Sequence, residues 1–297
     1  MPPLCSPALM PPASAHALTP QEAEWCLDLA EHLSASGIAI PSPPLLLAQF
    51  AIVGKGDLAA TVKRIVEYQR VAKSYGYVKA DAADSPADRL WFHAAFPGLV
   101  QPCWPLAGRR SVLFVDPAVY DASGISWPAQ WPAAARSFLL LLDALSCDLD
   151  EARAGCEVVY DCKGLSVAQV SPWVLRGVAD LYQNAYPGKL KKIVLVDAGF
   201  MVRSLLSVCG LFLSEKTMSR ISLATAEELL EPPHSYPKSA LPACLRAEGA
   251  PVFGESATPG YAEWLEGRLG RRAAAEDAVA IPARALPRPK QVERASA

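Results

Sequence analysis

The sequence predicts an α/β protein in which a small helical module precedes a mainly parallel β-sheet flanked by helices. Runs of β-branched residues alternate with apolar segments of helical length, as in βαβ units. The residues before the first such run show helical periodicity alone. An apolar fraction of 52% against 20% charged residues, over 297 residues, is sufficient for a large hydrophobic core.

Three helices are expected in the first 80 residues. Thr19 is a typical N-cap for a helix that extends to about His32. After a proline-rich break, Leu45–Val53 has the composition of a second helix, which ends at a pair of glycines. Asp57 is expected to cap a third helix over about Leu58–Ser74. Together these helices predict a small N-terminal module.

The sheet is predicted from four runs of β-branched and apolar residues. Apolar helices are expected between the first two runs, over Ala133–Cys147, and between the second and third runs. The latter helix opens at Ser171-Pro172 and closes at Tyr186-Pro187-Gly188. Because helices separate the strands, the connections are crossovers and the strands are expected to be parallel. The predicted strands are Ser111–Asp116, Glu157–Asp161, Lys192–Asp197 and a weaker Ile221–Leu223.

Composition divides the chain into four expected segments. Residues 1–18 are a tail, 19–80 the helical module, 81–250 the main α/β domain, and 251–297 a C-terminal helix and tail. Within the last segment, the residues after Gly270 are assigned to the tail because they are rich in alanine, arginine and proline. Met1–Ala17 has no lysine or arginine and does not resemble a secretory signal. The most apolar stretch, Phe138–Leu142, is too short to span a bilayer.

Charge and cysteine content restrict the partners and the compartment. A formal charge of -2 does not supply the basic field that sequence-independent nucleic-acid binding requires, so no nucleic-acid partner is predicted. The eight cysteines form no C-x-x-C pair, and a chain of this length needs no disulfide framework. We therefore expect free thiols and a cytoplasmic location. The four histidines lack ligand spacing, and neither a metal nor a cofactor is predicted.

Common enzyme motifs do not occur in the sequence, which has no G-x-S-x-G elbow, Walker A loop or H-E-x-x-H motif. Asp116, Asp161 and Asp197 end three predicted strands, where α/β proteins often place catalytic groups. Aspartate also favours the turns that follow strands, and no nucleophile or base is paired with this trio. We therefore predict no catalytic residue and no enzymatic activity.

A glycine motif leaves one enzymatic alternative open. Residues 54–59 read Gly-Lys-Gly-Asp-Leu-Ala and fit G-x-G-x-x-A, which cradles a pyrophosphate between a strand and a helix. The preceding Leu45–Phe50 suits a helix better, because it lacks β-branched residues. An NAD-type oxidoreductase that uses Gly54, Gly56 and Ala59 is thus a less favoured hypothesis.

An amphipathic segment follows the third predicted strand, over Gly199–Leu213. Taken alone, the pattern fits a helix that packs on the core better than a functional one. On a helix its apolar residues share one face, formed by Met201, Leu205, Val208, Cys209 and Phe212.

The context of this segment changes its interpretation. Leu181–Leu190 ends in Y-P-x-K-L, Lys192–Asp197 is a strand, Phe200–Leu213 is the amphipathic helix, and Leu213–Ile221 links it to the last strand. This order resembles the CRAL-TRIO family of lipid-transfer proteins, which includes phosphatidylinositol-transfer, tocopherol-binding and retinal-binding members. The resemblance covers about residues 43–248, including the N-terminal helices, and identifies the amphipathic helix with the family's gate helix.

Two features depart from the family pattern. The double glycine expected after Leu241-Pro242 is replaced by Ala243-Cys244, and the run that carries an arginine in the family appears as Ala51–Asp57. Four positions contact the headgroup in the phosphatidylinositol-binding branch. Of these, Thr217 and Arg220 keep a side chain that can bind phosphate, while the other two are Gly188 and Ile52.

The resemblance implies a lipid carrier rather than an enzyme. Its expected function is to bind a phospholipid such as phosphatidylinositol in a hydrophobic pocket and to transfer it between membranes. The expected partners are the lipid and, transiently, a membrane surface. We expect the chain to be a monomer that is peripherally associated with the membrane. A scaffold that binds no lipid is the second alternative. The implied ligand-binding residues are Thr217 and Arg220 at the headgroup, Val158, Tyr160, Ile193 and Leu195 in the sheet, and Phe200, Leu205, Cys209 and Phe212 in the gate helix.

Overall fold

Five strands form one β-sheet in the computed structural model of the chain, in the order β1-β2-β3-β4-β5. Strands β2 to β5 are parallel, and β1 pairs antiparallel with β2 at the edge. The strands are β1 Val100–Leu106, β2 Arg110–Val115, β3 Cys156–Asp161, β4 Leu190–Val196 and β5 Ile221–Ala224. The structure describes residues 17–77, 91–96, 98–106, 110–119, 127–166, 169, 172–211, 213–236 and 258–281.

Ten α-helices precede, connect or follow these strands in the described ranges. A π-helical turn, Leu181–Ala185, continues the helix before β4. The α/β fold class with a helical N-terminal region and a mainly parallel sheet is thus confirmed. The helices are α1 Pro20–Ala35, α2 Pro44–Gly54, α3 Leu58–Tyr75, α4 Trp91–Ala95, α5 Trp127–Leu145, α6 Leu149–Ala154, α7 Pro172–Asp180, α8 Phe200–Cys209, α9 Glu215–Met218 and α10 Thr258–Ala278.

Local signals explain the N-terminal helices. Thr19 and Glu22 form a reciprocal capping box on α1, with the Glu22 amide 3.3 Å from the Thr19 hydroxyl and the Thr19 amide 2.9 Å from the Glu22 carboxylate. Helix α2 ends at Lys55, which adopts the left-handed conformation with a φ of 52°. Gly54 and Gly56 therefore lie between two helices. The strand–turn–helix context that a dinucleotide fingerprint requires does not occur there, which removes the NAD-type hypothesis.

The two faces of the sheet are both apolar, as expected for parallel strands buried between layers. The first face carries Leu113, Val115, Val158, Tyr160, Ile193 and Leu195, and it lies beneath α5, the π-helical turn and α8. The second face is covered by residues 225–236, through Leu229 and Tyr236. Its strand residues are Val112, Phe114, Val159, Val194 and Val196.

Strand β1 was not predicted from the sequence. Its residues 100–106 include Pro102 and Pro105, and proline removes a backbone donor from a strand. Such a segment is tolerated only at the edge of a sheet, where one side of the strand needs no partner. The structure places β1 at the edge, with Val100 opposite Val115 of β2.

The prediction that the tail begins after Gly270 is wrong. Helix α10 continues to Ala278, because its arginines lie against buried carboxylates of α5 and α6. Arg268 pairs with Glu151, Arg271 with Asp148, and Arg272 with Asp143. Helix α10 packs against both α5 and α2, so it joins the N-terminal module to the α/β domain.

The expectation of free thiols is confirmed for the described cysteines, which are buried and unpaired: Cys26, Cys147, Cys156, Cys162 and Cys209. Within the described ranges, each helix is too short or too polar to cross a membrane.

A polar cluster closes the second face near the start of the strands. The Lys192 amine lies 2.8 Å from Nδ1 of His234, whose ring stacks on Tyr236. The Tyr236 hydroxyl donates to Glu157 over 2.6 Å, and Arg110 pairs with the same carboxylate over 2.6 Å. Burial and the charge of Lys192 lower the pKa of His234 below its ordinary 6.5. Neutral His234 can therefore accept a hydrogen bond from the Lys192 ammonium through Nδ1.

This cluster predicts a pH-dependent stability. As the pH falls below 6.5, the unfolded chain protonates at His234 before the folded chain does. The free energy of unfolding is therefore highest above that pH and decreases as the pH falls toward the folded pKa. Urea unfolding at about pH 7.5 and about pH 5.5 measures the difference. His234→Gln keeps a hydrogen-bond acceptor and is expected to flatten the pH dependence. If the free energy of unfolding of the variant depends on pH as strongly as that of the unaltered protein, His234 is not the source of the pH dependence.

Candidate functional site

The first face of the sheet is less sealed than the second. Val158, Tyr160 and Ile193 on the central strands β3 and β4 keep partial solvent exposure. On the opposite face of the same strands, Val159 and Val194 are completely buried. Side chains of central strands can meet solvent only through an opening in the helical layer above them. The predicted floor residues Val158, Tyr160, Ile193 and Leu195 thus share one face, and that face contains the opening.

Helix α8 covers part of this face, as expected for the gate segment. Val202 and Cys209, two turns apart, are buried, and Val202 packs with Leu195 of β4. Leu205 is half-buried. Phe212 lies outside the described residues, so the predicted face is described only as far as Cys209.

Two apolar side chains flank α8 without a place in the core. Phe200 is 87% exposed at the first position of α8, and Leu211 is 85% exposed just beyond its end. In this conformation Phe200, which the resemblance implied as a ligand-binding residue of the gate helix, faces solvent. Single exposed apolar residues are common, but these two lie at the two ends of one amphipathic helix.

The predicted headgroup residue Thr217 belongs to a hydrogen-bonded cluster. It is 8% exposed on α9, and its hydroxyl donates to Oε1 of Gln183 over 3.0 Å. The Ser214 hydroxyl lies 2.9 Å from the Thr217 hydroxyl, and the Ser214 amide donates to the same Gln183 oxygen over 3.0 Å. A phosphate oxygen that accepts the Thr217 proton would have to compete with Gln183 for it.

The other predicted headgroup residue, Arg220, is partly exposed, and its charge acts on Lys189. Its backbone carbonyl accepts from the amide of Ile193, which places it beside the first residues of β4. Lys189 and Lys191 flank Leu190 at the same strand end, and burial together with the charges of Lys191, Lys55 and Arg220 lowers the pKa of Lys189. We call Lys55, Lys189, Lys191 and Arg220 the cationic cluster.

The cationic cluster is available to an anion. The Lys189 amine donates to the carbonyl of Arg153 over 2.6 Å, but no carboxylate among the residues the structure describes pairs with any of its four members. The other three cations repel the charge of Lys189, so a bound phosphate would relieve that repulsion.

The other two headgroup positions offer no polar side chain. Ile52 is 6% exposed within the core-facing part of α2. At Gly188, an added Cβ would lie 3.1 Å from both the Tyr182 hydroxyl and the Tyr186 ring, so a larger residue does not fit without a shift. The structure thus brings Thr217 and Arg220 to one region, and lysines lie at the nearby start of β4.

Sequence analysis did not identify Gln183, Lys55, Lys189 or Lys191 as site residues. The lysines were visible as the run Lys-Leu-Lys-Lys at 189–192 and in the turn after α2. Gln183 gave no local signal, because its role depends on the π-helical turn, a feature often found at functional sites.

Two cavities occur elsewhere in the described fold. One of about 350 Å³ lies within the N-terminal module, beside Leu46, Tyr68 and Tyr77. One of about 10 Å³ adjoins Tyr182 and Gly188 and is large enough for a single water. Neither cavity is lined by residues of α8.

These features define an α/β protein whose sheet has an apolar face beneath an amphipathic helix, with a cationic region beside it. The CRAL/TRIO domain profile matches residues 108–245, which contain β2 to β5 and α8. This region of the chain is therefore a CRAL-TRIO domain, and the family that shares this domain consists of lipid-binding and lipid-transfer proteins that are mostly not enzymes.

Curated proteins with similar sequences are larger than this chain. Human tyrosine-protein phosphatase non-receptor type 9 is 22% identical over 240 residues, which are 80% of this chain and 39% of that protein. The mouse protein of the same name is 23% identical over 247 residues, with the same coverage. The chain thus spans about two fifths of these relatives. Among solved structures, Sfh5 is similar with a TM-score of 0.49 and 11% identity, over 72% of this chain and 84% of Sfh5.

Proposed function

We propose that the chain binds one phospholipid, with its acyl tails on the first face of the sheet and its phosphate at the cationic cluster. The observation that carries this proposal is the partial exposure of Val158, Tyr160 and Ile193 on central strands, beside a region rich in unpaired cations. We assign this function to residues 81–250, and the helical module of α1 to α3 contributes Lys55 to the cationic cluster.

Transfer of the acyl tails from water to this face supplies the binding energy. Burial of each methylene stabilises the complex by about 0.8 kcal/mol, so two chains need a long apolar surface. Helix α8 contacts that surface through Val202 and Leu206 and would move to admit the tails. Phe200 and Leu211 would then enter the membrane interface, so exchange requires a peripheral and transient membrane contact by a monomer.

The cationic cluster favours an anionic headgroup, and phosphatidylinositol is our proposed ligand. Arg220 has no hydrogen-bond or ion-pair partner for its guanidinium among the described residues. A guanidinium can bind a phosphate through two parallel hydrogen bonds, which ammonium groups cannot do.

Mass spectrometry of an organic extract tests the proposal. The purified protein is extracted after expression in a host that makes phosphatidylinositol, and the extract of an unrelated soluble protein purified in the same way provides the background. We expect close to one phospholipid molecule per protein molecule, and we expect phosphatidylinositol to be enriched among the extracted phospholipids. Protein without lipid, which also takes up none from vesicles, contradicts the proposal.

A scaffold without a ligand is the second candidate function. It is favoured by the direct packing of α8 on the sheet, where Val202, Leu195 and Cys162 form a closed cluster. The two candidates differ in one result, because a scaffold neither copurifies with lipid nor moves it between vesicles.

Replacement of Arg220 tests the headgroup assignment. Arg220→Ala is expected to weaken binding of phosphatidylinositol about tenfold or more, since a hydrogen bond to a charged group contributes roughly 1.5–3 kcal/mol. Affinity for a diacylglycerol with the same chains should change little. Both affinities are measured by titration with a fluorescent acyl chain.

The control for Arg220→Ala is Arg70→Ala, on the exposed side of α3, where Arg70 pairs with Glu67 over 2.6 Å. This variant removes a positive charge far from the cationic cluster and is expected to bind both lipids normally. If Arg220→Ala and the unaltered protein bind phosphatidylinositol with equal affinity, Arg220 is not a phosphate ligand.

A further inference from the structure

Gln183 connects three parts of the fold at the π-helical turn. Its backbone carbonyl accepts from Nη2 of Arg64, on α3 of the N-terminal module, over 2.9 Å. Its side-chain oxygen accepts from the Ser214 amide and from the Thr217 hydroxyl, each over 3.0 Å. Ser214 is the N-cap of α9 and closely follows α8, so Gln183 holds the segment at which α8 ends.

The same contacts fix the orientation of the Gln183 amide. A backbone N–H can only donate, so the atom facing Ser214 must be the amide oxygen. The two N–H groups of the amide consequently point away from Ser214. Nε2 has no hydrogen-bond partner among the described residues, and it is not enclosed. Gln183 thus presents two oriented and unused N–H donors beside Thr217. Thr217 itself precedes Arg220 by three residues.

We propose that Gln183 is a headgroup-binding residue that also couples headgroup binding to the position of α8. Its amide nitrogen donates to a phosphate oxygen of the lipid, while its amide oxygen holds Ser214 and Thr217. This inference rests on the proposed phospholipid function and adds a specificity-determining residue to it. The nitrogen and the oxygen belong to one rigid amide, so a phosphate that draws the nitrogen toward it also moves the oxygen. Phosphate binding therefore determines whether the oxygen keeps its contact with Ser214.

Two substitutions at Gln183 separate these roles. Gln183→Glu keeps an oxygen that accepts from Ser214 and Thr217 but removes both N–H donors and adds a negative charge. Gln183→Met has a similar length and loses the donors and the acceptor together. Gln21→Glu, on the exposed first turn of α1, adds the same charge far from the site and serves as the control.

The test compares phosphatidylinositol with a diacylglycerol that carries the same fluorescent acyl chain. We compare the affinity for phosphatidylinositol divided by the affinity for diacylglycerol. Both Gln183 variants are expected to lower this ratio about tenfold, because the charged phosphate loses the amide N–H that donates to it. A merely structural defect would weaken the binding of both lipids alike and leave the ratio of their affinities unchanged. Only Gln183→Met should also speed the release of diacylglycerol, because only this variant frees Ser214.

The outcomes separate this inference from the proposed function. If unaltered protein binds phosphatidylinositol and Gln183→Glu shows the same affinity ratio as Gln21→Glu, Gln183 does not contact the headgroup. If Gln183→Glu releases diacylglycerol as fast as Gln183→Met, the amide oxygen does not hold α8. If unaltered protein binds neither lipid, the proposed function itself fails, and the inference fails with it.

Discussion

We expect the double variant Phe200→Asp/Leu211→Asp to stop lipid transfer between vesicles while the chain remains folded. Both side chains are more than four fifths exposed, and neither belongs to a core cluster. Their replacement therefore changes stability by only about 0.5 kcal/mol. At a membrane the same carboxylates oppose insertion, because a charged group loses its hydration when it enters the interface. Transfer of a fluorescent phospholipid between donor and acceptor vesicles measures the effect.

The control for this variant carries aspartates at exposed apolar residues of other elements. Val66 on α3 is 46% exposed and Leu230 on the second-face cover is 39% exposed. Val66→Asp/Leu230→Asp adds the same charge and should transfer lipid normally. If the two double variants transfer lipid at equal rates, and circular dichroism shows both folded, the ends of α8 are not the membrane contact.

The strands of the parallel sheet could be predicted because their signal is local. Runs such as Glu157–Asp161 and Lys192–Asp197 contain consecutive β-branched residues, as strands buried on both faces require. The structure places them at β3 and β4, within two residues of the predicted limits. The caps at Thr19 and Asp57 are equally local and were also found.

The missed elements depend on distant residues. Helix α10 was taken for a tail from Gly270 onward, because its composition is polar and rich in alanine. Its stability depends on pairing with Asp143, Asp148 and Glu151, more than a hundred residues earlier in the chain. No window of sequence around Gly270 contains those partners, so periodicity could not reveal the helix.

The candidate site was predicted only where the family resemblance supplied positions. Thr217 and Arg220 were assigned in this way. The Lys55 side chain could not be assigned, because its proximity to Lys189 arises when the turn after α2 packs near the start of β4. The exposure of Phe200 likewise depends on how α8 rotates about its axis on the sheet, which amphipathicity fixes only approximately.

A buried polar network joins α10 to the rest of the fold at Asp143. The carboxylate of Asp143 pairs with Arg272 over 3.1 Å and accepts from the Tyr186 hydroxyl over 2.7 Å and from the Tyr77 hydroxyl. Arg272 also donates to the carbonyl of Ser146 over 2.8 Å. Both charged residues are only 4% exposed. Arg272 also pairs with Glu276 over 3.2 Å, but loss of Arg272 would leave the Asp143 carboxylate without a cation in the interior.

Arg272→Met is therefore expected to lower the free energy of unfolding by about 3–5 kcal/mol, a large part of the stability of an ordinary domain. Urea unfolding followed by circular dichroism measures the change. Arg70→Met, which breaks a solvent-exposed ion pair with Glu67, should change stability by less than about 1 kcal/mol. The double variant Asp143→Asn/Arg272→Met should recover part of the loss, because the carboxylate left unpaired by Arg272→Met is then neutral. If Arg272→Met is no more destabilised than Arg70→Met, α10 does not depend on this network.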